Sequence, residues 1–204
     1  MMISRFWLAV VTTVSLTVST SFASPPTEPE QFVAAVIDKA VKALELPIEA
    51  RAEREASFYA LLNQNFDMPT IVRVVLGRHW RTASKNQKTK FAKVFKTHLI
   101  KVYTSQLGIY DDEIIQIEKS AALSEKDTII YTLILRGDEE PLRLDWRVRQ
   151  TGHGLKVIDI AAEGVSMLTT KRSEFTSLVA REGVDALIGR LELRNAEAQH
   201  GSDS

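Results

Sequence analysis

From Phe32 to Leu107 the apolar positions recur with a helical period. Phe32, Val33, Val36, Ile37, Ala40, Val41 and Leu44 fall on one face. Thr27 and Glu30 precede them at capping-box spacing, after a short proline-rich arm from Ser24 to Pro29. Pro47 ends that helix and opens a second through Ala52, Ala56, Tyr59 and Leu62. Asp67 is placed to cap a helix over Met68 to Leu76, with Pro69 in its first turn and Gly77 as its stop. Ser84 and Gln87 form another capping box, opening a helix whose face is Phe91, Val94, Phe95, Leu99, Val102, Tyr103 and Leu107.

Beyond Tyr110 the period changes to alternation, and Ile114–Lys119, Thr128–Arg136, Leu142–Gln150 and Leu155–Ala162 read as four strands. In the third, Leu142, Leu144, Trp146 and Val148 alternate with Arg143, Asp145, Arg147 and Arg149, giving one dry and one charged face. Gly152-His153-Gly154 is hairpin chemistry, so the last two strands are expected to be antiparallel neighbours. One closing helix carries Phe175, Leu178, Val179, Val184, Leu187, Ile188 and Leu191, and Asn195 to Ser204 reads as a polar, frayed tail. Helices, a meander and a closing helix make an α+β domain.

Composition changes this picture in two ways. Residues 1–23 read as a cleaved leader: Arg5 is its charge, Phe6 to Val18 its apolar core, and Ser21-Phe22-Ala23 a small-x-small cleavage site. That core is short for a bilayer span, so the chain reads as exported and released, with one domain over 24–194. The absence of cysteine excludes a lipoprotein anchor, disulfides, thiol catalysis and cysteine metal sites. Without Arg5, 25 basic side chains face 26 acidic ones (26 less 1, against 26), so no global field draws the protein to nucleic acid.

Catalytic patterns are missing where they are sought. Gly164-Val165-Ser166-Met167-Leu168 begins like a hydrolase nucleophile elbow, but Leu168 stands where the second small residue must be, and Ser166 reads as a turn or helix-entry hydroxyl. His79, His98, His153 and His200 fall in no metal-binding pattern. Asp111-Asp112-Glu113 lacks the spacing of a calcium loop and reads as a helix stop with a solvated edge.

Three blocks carry a family resemblance: Asp159 to Leu191, Phe66-Asp67 through Gly77-Arg78-His79-Trp80-Arg81 to Ser84-Lys85-Asn86-Gln87, and Pro141-Leu142-Arg143-Leu144-Asp145-Trp146. In this order they resemble the C-terminal part, the central region and the sheet of the MlaC family, also called toluene-tolerance auxiliary proteins. The resemblance covers most of the chain from about Phe58. It implies a curved, four-stranded, NTF2-like antiparallel sheet under a helical layer, an apolar lipid cavity and no enzymatic activity. It also implies a periplasmic phospholipid carrier of a Gram-negative bacterium, without cofactor. Such a carrier moves between an outer-membrane lipoprotein–porin complex and an inner-membrane ABC transporter with its substrate-binding domain. The same fold carrying another lipid such as a hopanoid, a periplasmic lipid hydrolase, and a ligand-free adaptor are the rival readings.

A diacyl lipid with about 30 methylenes loses roughly 24 kcal/mol of burial on exposure to water, so a soluble carrier must supply apolar surface instead. Residues available to line it are Leu76, Trp80, Phe95, Leu99, Tyr103, Tyr110, Leu142, Leu144, Trp146, Ile158, Ile160, Val165 and Met167. Each is equally compatible with ordinary core. Among Arg78, Arg81, Arg143, Arg147, Arg149, Lys171 and Arg172, the strand arginines share a face suited to phosphate or an acidic partner. Partner docking is the expectation for Arg143, Arg147, Arg149, Lys171 and Arg172, since the strand face opposes the apolar side of its sheet. The leader predicts a mature N-terminus at Ser24, checked by N-terminal sequencing of the periplasmic protein; full-length chain in the inner membrane would overturn it.

Overall fold

Local sequence signals open the helices at Glu28, Met68 and Lys85 where the pattern places them, whereas the helix expected to open at Pro47 begins at Arg51. The computed structural model describes residues 25–47, 49–106 and 113–200, with the backbone alone at 105, 106, 199 and 200; the leader, Leu107, Tyr110, Asp111 and Asp112 lie outside the described residues. Helix α1 (Glu28–Leu44) starts with the Thr27 N–H donating to the Glu30 carboxylate at 2.6 Å. The Ser120 hydroxyl, with the Thr27 backbone, holds that carboxyl below its ordinary value, tying the helix start to the sheet. After α2 (Arg51–Asn65), Asp67 caps α3 (Met68–Leu76) by accepting from the Thr70 N–H at 3.1 Å. The short α4 (His79–Thr82) leads to α5 (Lys85–Gln106), where Ser84 and Gln87 exchange reciprocal bonds of 2.9 and 3.2 Å.

The meander follows: β1 (Ile114–Ala122), β2 (Asp127–Leu135), β3 (Leu142–Thr151), β4 (Gly154–Ala162) and β5 (Val165–Ser166), each antiparallel to the next. The expected four strands are therefore five among the described residues. Glu163 and Gly164, both at positive φ, turn the chain tightly enough for Val165 and Ser166 to pair back onto Ala162 and Ala161. The expected single closing helix is two, α6 (Met167–Glu182) and α7 (Val184–His200), because Gly183 at φ 87° ends the first. The tail expected from Asn195 is still helical through His200.

Asn195 is buried, for a reason the sequence pattern did not carry. Its Nδ2 donates to the Val94 carbonyl at 3.1 Å, its Oδ1 lies 3.2 Å from His98 Nδ1, and its carbonyl accepts from Lys101 at 2.7 Å. This polar knot fastens α7 to α5, and its burial pushes both His98 and Lys101 down from their ordinary values. Around it lies the helical core. Phe91 stacks on Phe95 at 5.6 Å, and Phe175 meets both edge-on at 6.0 and 5.7 Å. Val72, Val75 and Leu76 of α3 and Leu187, Ile188 and Leu191 of α7 complete it.

A second core lies between α1 and the sheet: Val33 and Val36 against Ile130, Trp146, Val148 and Val157. Phe66 packs against both cores, and at the same point its backbone pairs in parallel with Val157 on the edge of β4. The helical layer is thereby hinged to the sheet's last long strand.

Gly77 shows how closely the helical elements approach. Its φ of 59° with ψ of −133° suits glycine, and a Cβ there would lie 3.3 Å from the Thr176 hydroxyl and 3.4 Å from Arg172 Nε on α6. Gly77→Ala is expected to destabilise the fold by about 1–3 kcal/mol, seen as a lower urea midpoint with unchanged slope.

Candidate functional site

Strand register sorts the sheet's dry face into four rows. Ile115, Ile134 and Leu142 form the first; Ile117, Thr132, Leu144 and Ala162 the second; Ser120, Ile130, Trp146 and Ile160 the third; Ala122, Thr128, Val148 and Val157 the fourth. Residues directly paired across strands point to the same side, so all four rows face α1. Burial divides them. In the third and fourth rows Ile130, Trp146, Val148 and Val157 are sealed beneath α1. In the first two rows every apolar side chain is half-buried. The buried Thr132 hydroxyl is satisfied there, donating to the Leu144 carbonyl at 2.6 Å and accepting from Trp146 Nε1 at 3.2 Å. Half of the dry face is thus a continuous apolar ledge that α1 does not seal.

The candidate cavity residues separate accordingly. Leu142, Leu144 and Ile160 lie on or beside the ledge, while Trp146 lies under α1. Leu76 and Phe95 are buried in the helical core, and Trp80, Leu99 and Tyr103 are half-buried against it. Burial raises the Tyr103 hydroxyl above its ordinary value, helped by the nearby Asp159 charge. Ile158 is buried at a bulge in β4, Met167 is half-buried at the start of α6, and Val165 is 55% exposed. Tyr110 lies outside the described residues. Sequence reasoning missed Ile115, Ile117 and Ile134 as ledge residues; their alternation was visible, but which strand lay opposite them was not.

The opposite face is charged and internally paired. Asp127, 3% exposed, accepts from Arg149 at 2.6 and 2.8 Å and from Arg147 at 3.1 and 2.5 Å. Arg143 grips Asp145 with two 2.8 Å bonds and lies 4.9 Å over the Tyr131 ring. Asp145 is therefore buried, where alternation alone expected a wet carboxylate. Lys171 pairs with Glu174 at 2.9 Å, and Arg172 lies beside Gly77. Arg78 is exposed, its Nε 3.4 Å from His79 Nε2, and Arg81 is exposed as well.

Ser166 is a helix cap. Its hydroxyl donates to Asp159 at 2.5 Å and accepts from the Thr169 N–H at 3.0 Å, while Asp159 also accepts from the Leu168 N–H at 3.0 Å. The hydroxyl thus caps α6, held between the Asp159 carboxylate and the helix N-terminus. Among the described residues no group of His, Cys, Asp and Glu side chains could hold a metal ion, and no helix is long and apolar enough to cross a membrane.

Comparison with known proteins agrees with this architecture. The model of the MlaC protein family matches residues 31–193. The intermembrane phospholipid transport system binding protein MlaC of Haemophilus influenzae is 29% identical over 122 residues, which is 58% of this chain and 57% of that protein. The chain thus aligns with a little over half of that relative's length. A solved phospholipid-binding protein from Ralstonia solanacearum, in complex with a phospholipid, superposes with a TM-score of 0.71 at 24% identity, covering 83% of this chain and 97% of that one.

The Asp127 cluster generates a pH prediction. Hydrogen bonds from Arg149 and Arg147 lower its carboxyl from 3.8 to about 2 despite burial. The folded state therefore binds its proton less readily than the unfolded chain. The stabilisation is complete above the unfolded value and is lost as pH falls through about 2. Asp127→Asn is expected to lower stability by up to about 2 kcal/mol near neutral pH. The deficit relative to wild type, measured by urea unfolding, should shrink on acidification across that window.

Proposed function

This chain belongs to the MlaC family, and from that premise we propose that it is a periplasmic phospholipid carrier, shuttling lipid between an outer-membrane lipoprotein complex and an inner-membrane ABC transporter. The observation that carries the reading is the ledge of Ile115, Ile117, Ile134, Leu142, Leu144 and Ala162, apolar yet left half-buried by α1. Acyl chains laid there replace the missing cover, and the headgroup stays at the end nearest water. A carrier needs no catalytic group, which fits the capping role of Ser166. Transport energy and direction belong to the partners.

The arginines expected to dock a partner enter this reading in altered form. Arg143 is neutralised by Asp145, while Arg147 and Arg149 share the single carboxylate of Asp127, which leaves one positive charge on that face. A partner meeting that face meets ion pairs with one positive charge in excess, so it gains geometric register together with a weak attraction for acidic groups.

Protein purified from periplasm without detergent is expected to release phospholipid on organic extraction. Leu144→Glu and Leu142→Glu place a carboxylate beside the acyl chains and should yield folded protein devoid of lipid, by circular dichroism and extraction of the same sample. Wild-type protein that yields no lipid sinks the carrier reading. Unfolding of both variants would make the ledge ordinary core instead.

A further inference from the structure

The ledge ends at the turn between β2 and β3, and a polar atom there lacks a counterpart. Arg136 directly follows Leu135, so strand alternation puts it on the side of Ile134 and Leu142, beyond the first row of the ledge. Its Nε is shut off from water and has no hydrogen-bond partner. Its Nη1 reaches Glu139 at 3.4 Å, and that carboxylate is 70% exposed. The side chain as a whole is 37% exposed, so the guanidinium straddles the boundary between apolar surface and solvent. Folded proteins pair nearly all buried donors, and a charged one left unpaired is among the more costly defects. An oxygen acceptor from outside the chain would complete it once the partly exposed guanidinium turns its Nε–H towards the mouth of the ledge.

On the carrier reading, we infer that Arg136 takes the phosphate of the carried lipid at the mouth of the ledge. Several features favour a phosphate delivered on acyl chains over a free anion. Asp138, Glu139 and Glu140 crowd the same turn and are exposed, while Glu113 stands one step beyond the Ile114–Leu135 pair, opposite Arg136. These carboxylates give the turn no attraction for anions in bulk solution, and water and salt screen the exposed ones within about 10 Å. The buried Nε–H is not screened. It acts on a group already brought to within hydrogen-bond distance, and the forked guanidinium geometry matches a phosphodiester oxygen pair. Apolar burial brings the lipid to the ledge, and Arg136 fixes which end faces out.

The test compares phosphatidylethanolamine with diacylglycerol of the same acyl chains, bound to delipidated wild type, Arg136→Ala and Arg136→Lys. The two lipids differ by a phosphate and an ammonium, and the exposed carboxylates of the turn attract the ammonium, so the phosphate contact is read from how the difference depends on Arg136. Wild type is expected to bind phosphatidylethanolamine more tightly. Arg136→Ala should weaken that binding roughly tenfold to hundredfold, the scale of one charge-assisted hydrogen bond, and leave diacylglycerol unchanged. Arg136→Lys keeps the charge without the Nε–H and should recover part of the loss. Equal binding of both lipids by wild type, or equal weakening of both by Arg136→Ala, overturns the assignment. Binding of neither lipid by wild type instead removes the carrier reading beneath it. Inorganic phosphate titrated alone is expected to give no Arg136-dependent heat; saturable binding lost in Arg136→Ala would assign the guanidinium to free phosphate and overturn the lipid role.

Discussion

One helix is narrower than the sheet it has to cover. An α-helix with side chains is about 10 Å across. Four strands about 4.8 Å apart span roughly 14 Å between their outer axes, and nine residues of strand run about 30 Å. α1 therefore seals part of the dry face, and Ile130, Trp146, Val148 and Val157 are that part. The helical layer cannot slide over to seal the rest, because it is hinged to β4 through Phe66 and Val157 and through the turn into β5. What remains is the ledge, and its exposure follows from the widths of the elements without any special device.

The charged face works by a different balance. Alternation along β3 puts Arg143, Arg147 and Arg149 on one side, where repulsion would bow the strand if they stood alone. Asp127, at the start of β2, lies directly opposite Arg149 in the register and within reach of Arg147, so a single buried carboxylate answers two guanidinium groups. That pairing locks the β2–β3 register at the end away from the ledge. At the ledge end the same two strands are held through Thr132, whose hydroxyl bonds to both Leu144 and Trp146. A one-residue slip would break both locks and turn every apolar side chain of the ledge outward.

Much of this architecture is legible in the sequence, and the division between what is and what is not has physical reasons. Caps are local, so Asp67, Ser84 and Gln87 can be assigned from spacing alone, and so can the alternation from Leu142 to Arg149. Gly183 is a weak signal inside a long amphipathic pattern, because a single glycine is compatible with a continuous helix until its φ is known. The β5 pairing depends on a two-residue turn, and two residues carry no period. Asn195 looks like the first residue of a polar tail because its partners, Val94, His98 and Lys101, lie about a hundred positions away. The ledge itself emerges from register: Ile115 and Ile134 declare themselves only when placed beside Leu142. Arg136 is legible as the next inward position after Ile134, but its unpaired Nε is a fact of packing that no pattern encodes.

Carriage also limits how complete the cover can be. Full burial of about 30 methylenes is worth roughly 24 kcal/mol, beyond the strongest non-covalent affinities, which level off near 18–21 kcal/mol. A protein that enclosed both chains tightly would hold lipid too long to deliver it. A surface that opens along one side lets a receiving apolar site take the chains progressively, so the full exposure cost is never met in a single step. On this reading the polar anchor at Arg136 is best placed at the mouth, because there it orients the headgroup without deepening the apolar trap. The same half-buried condition that makes Leu142 and Leu144 look like imperfect core is then the condition for release.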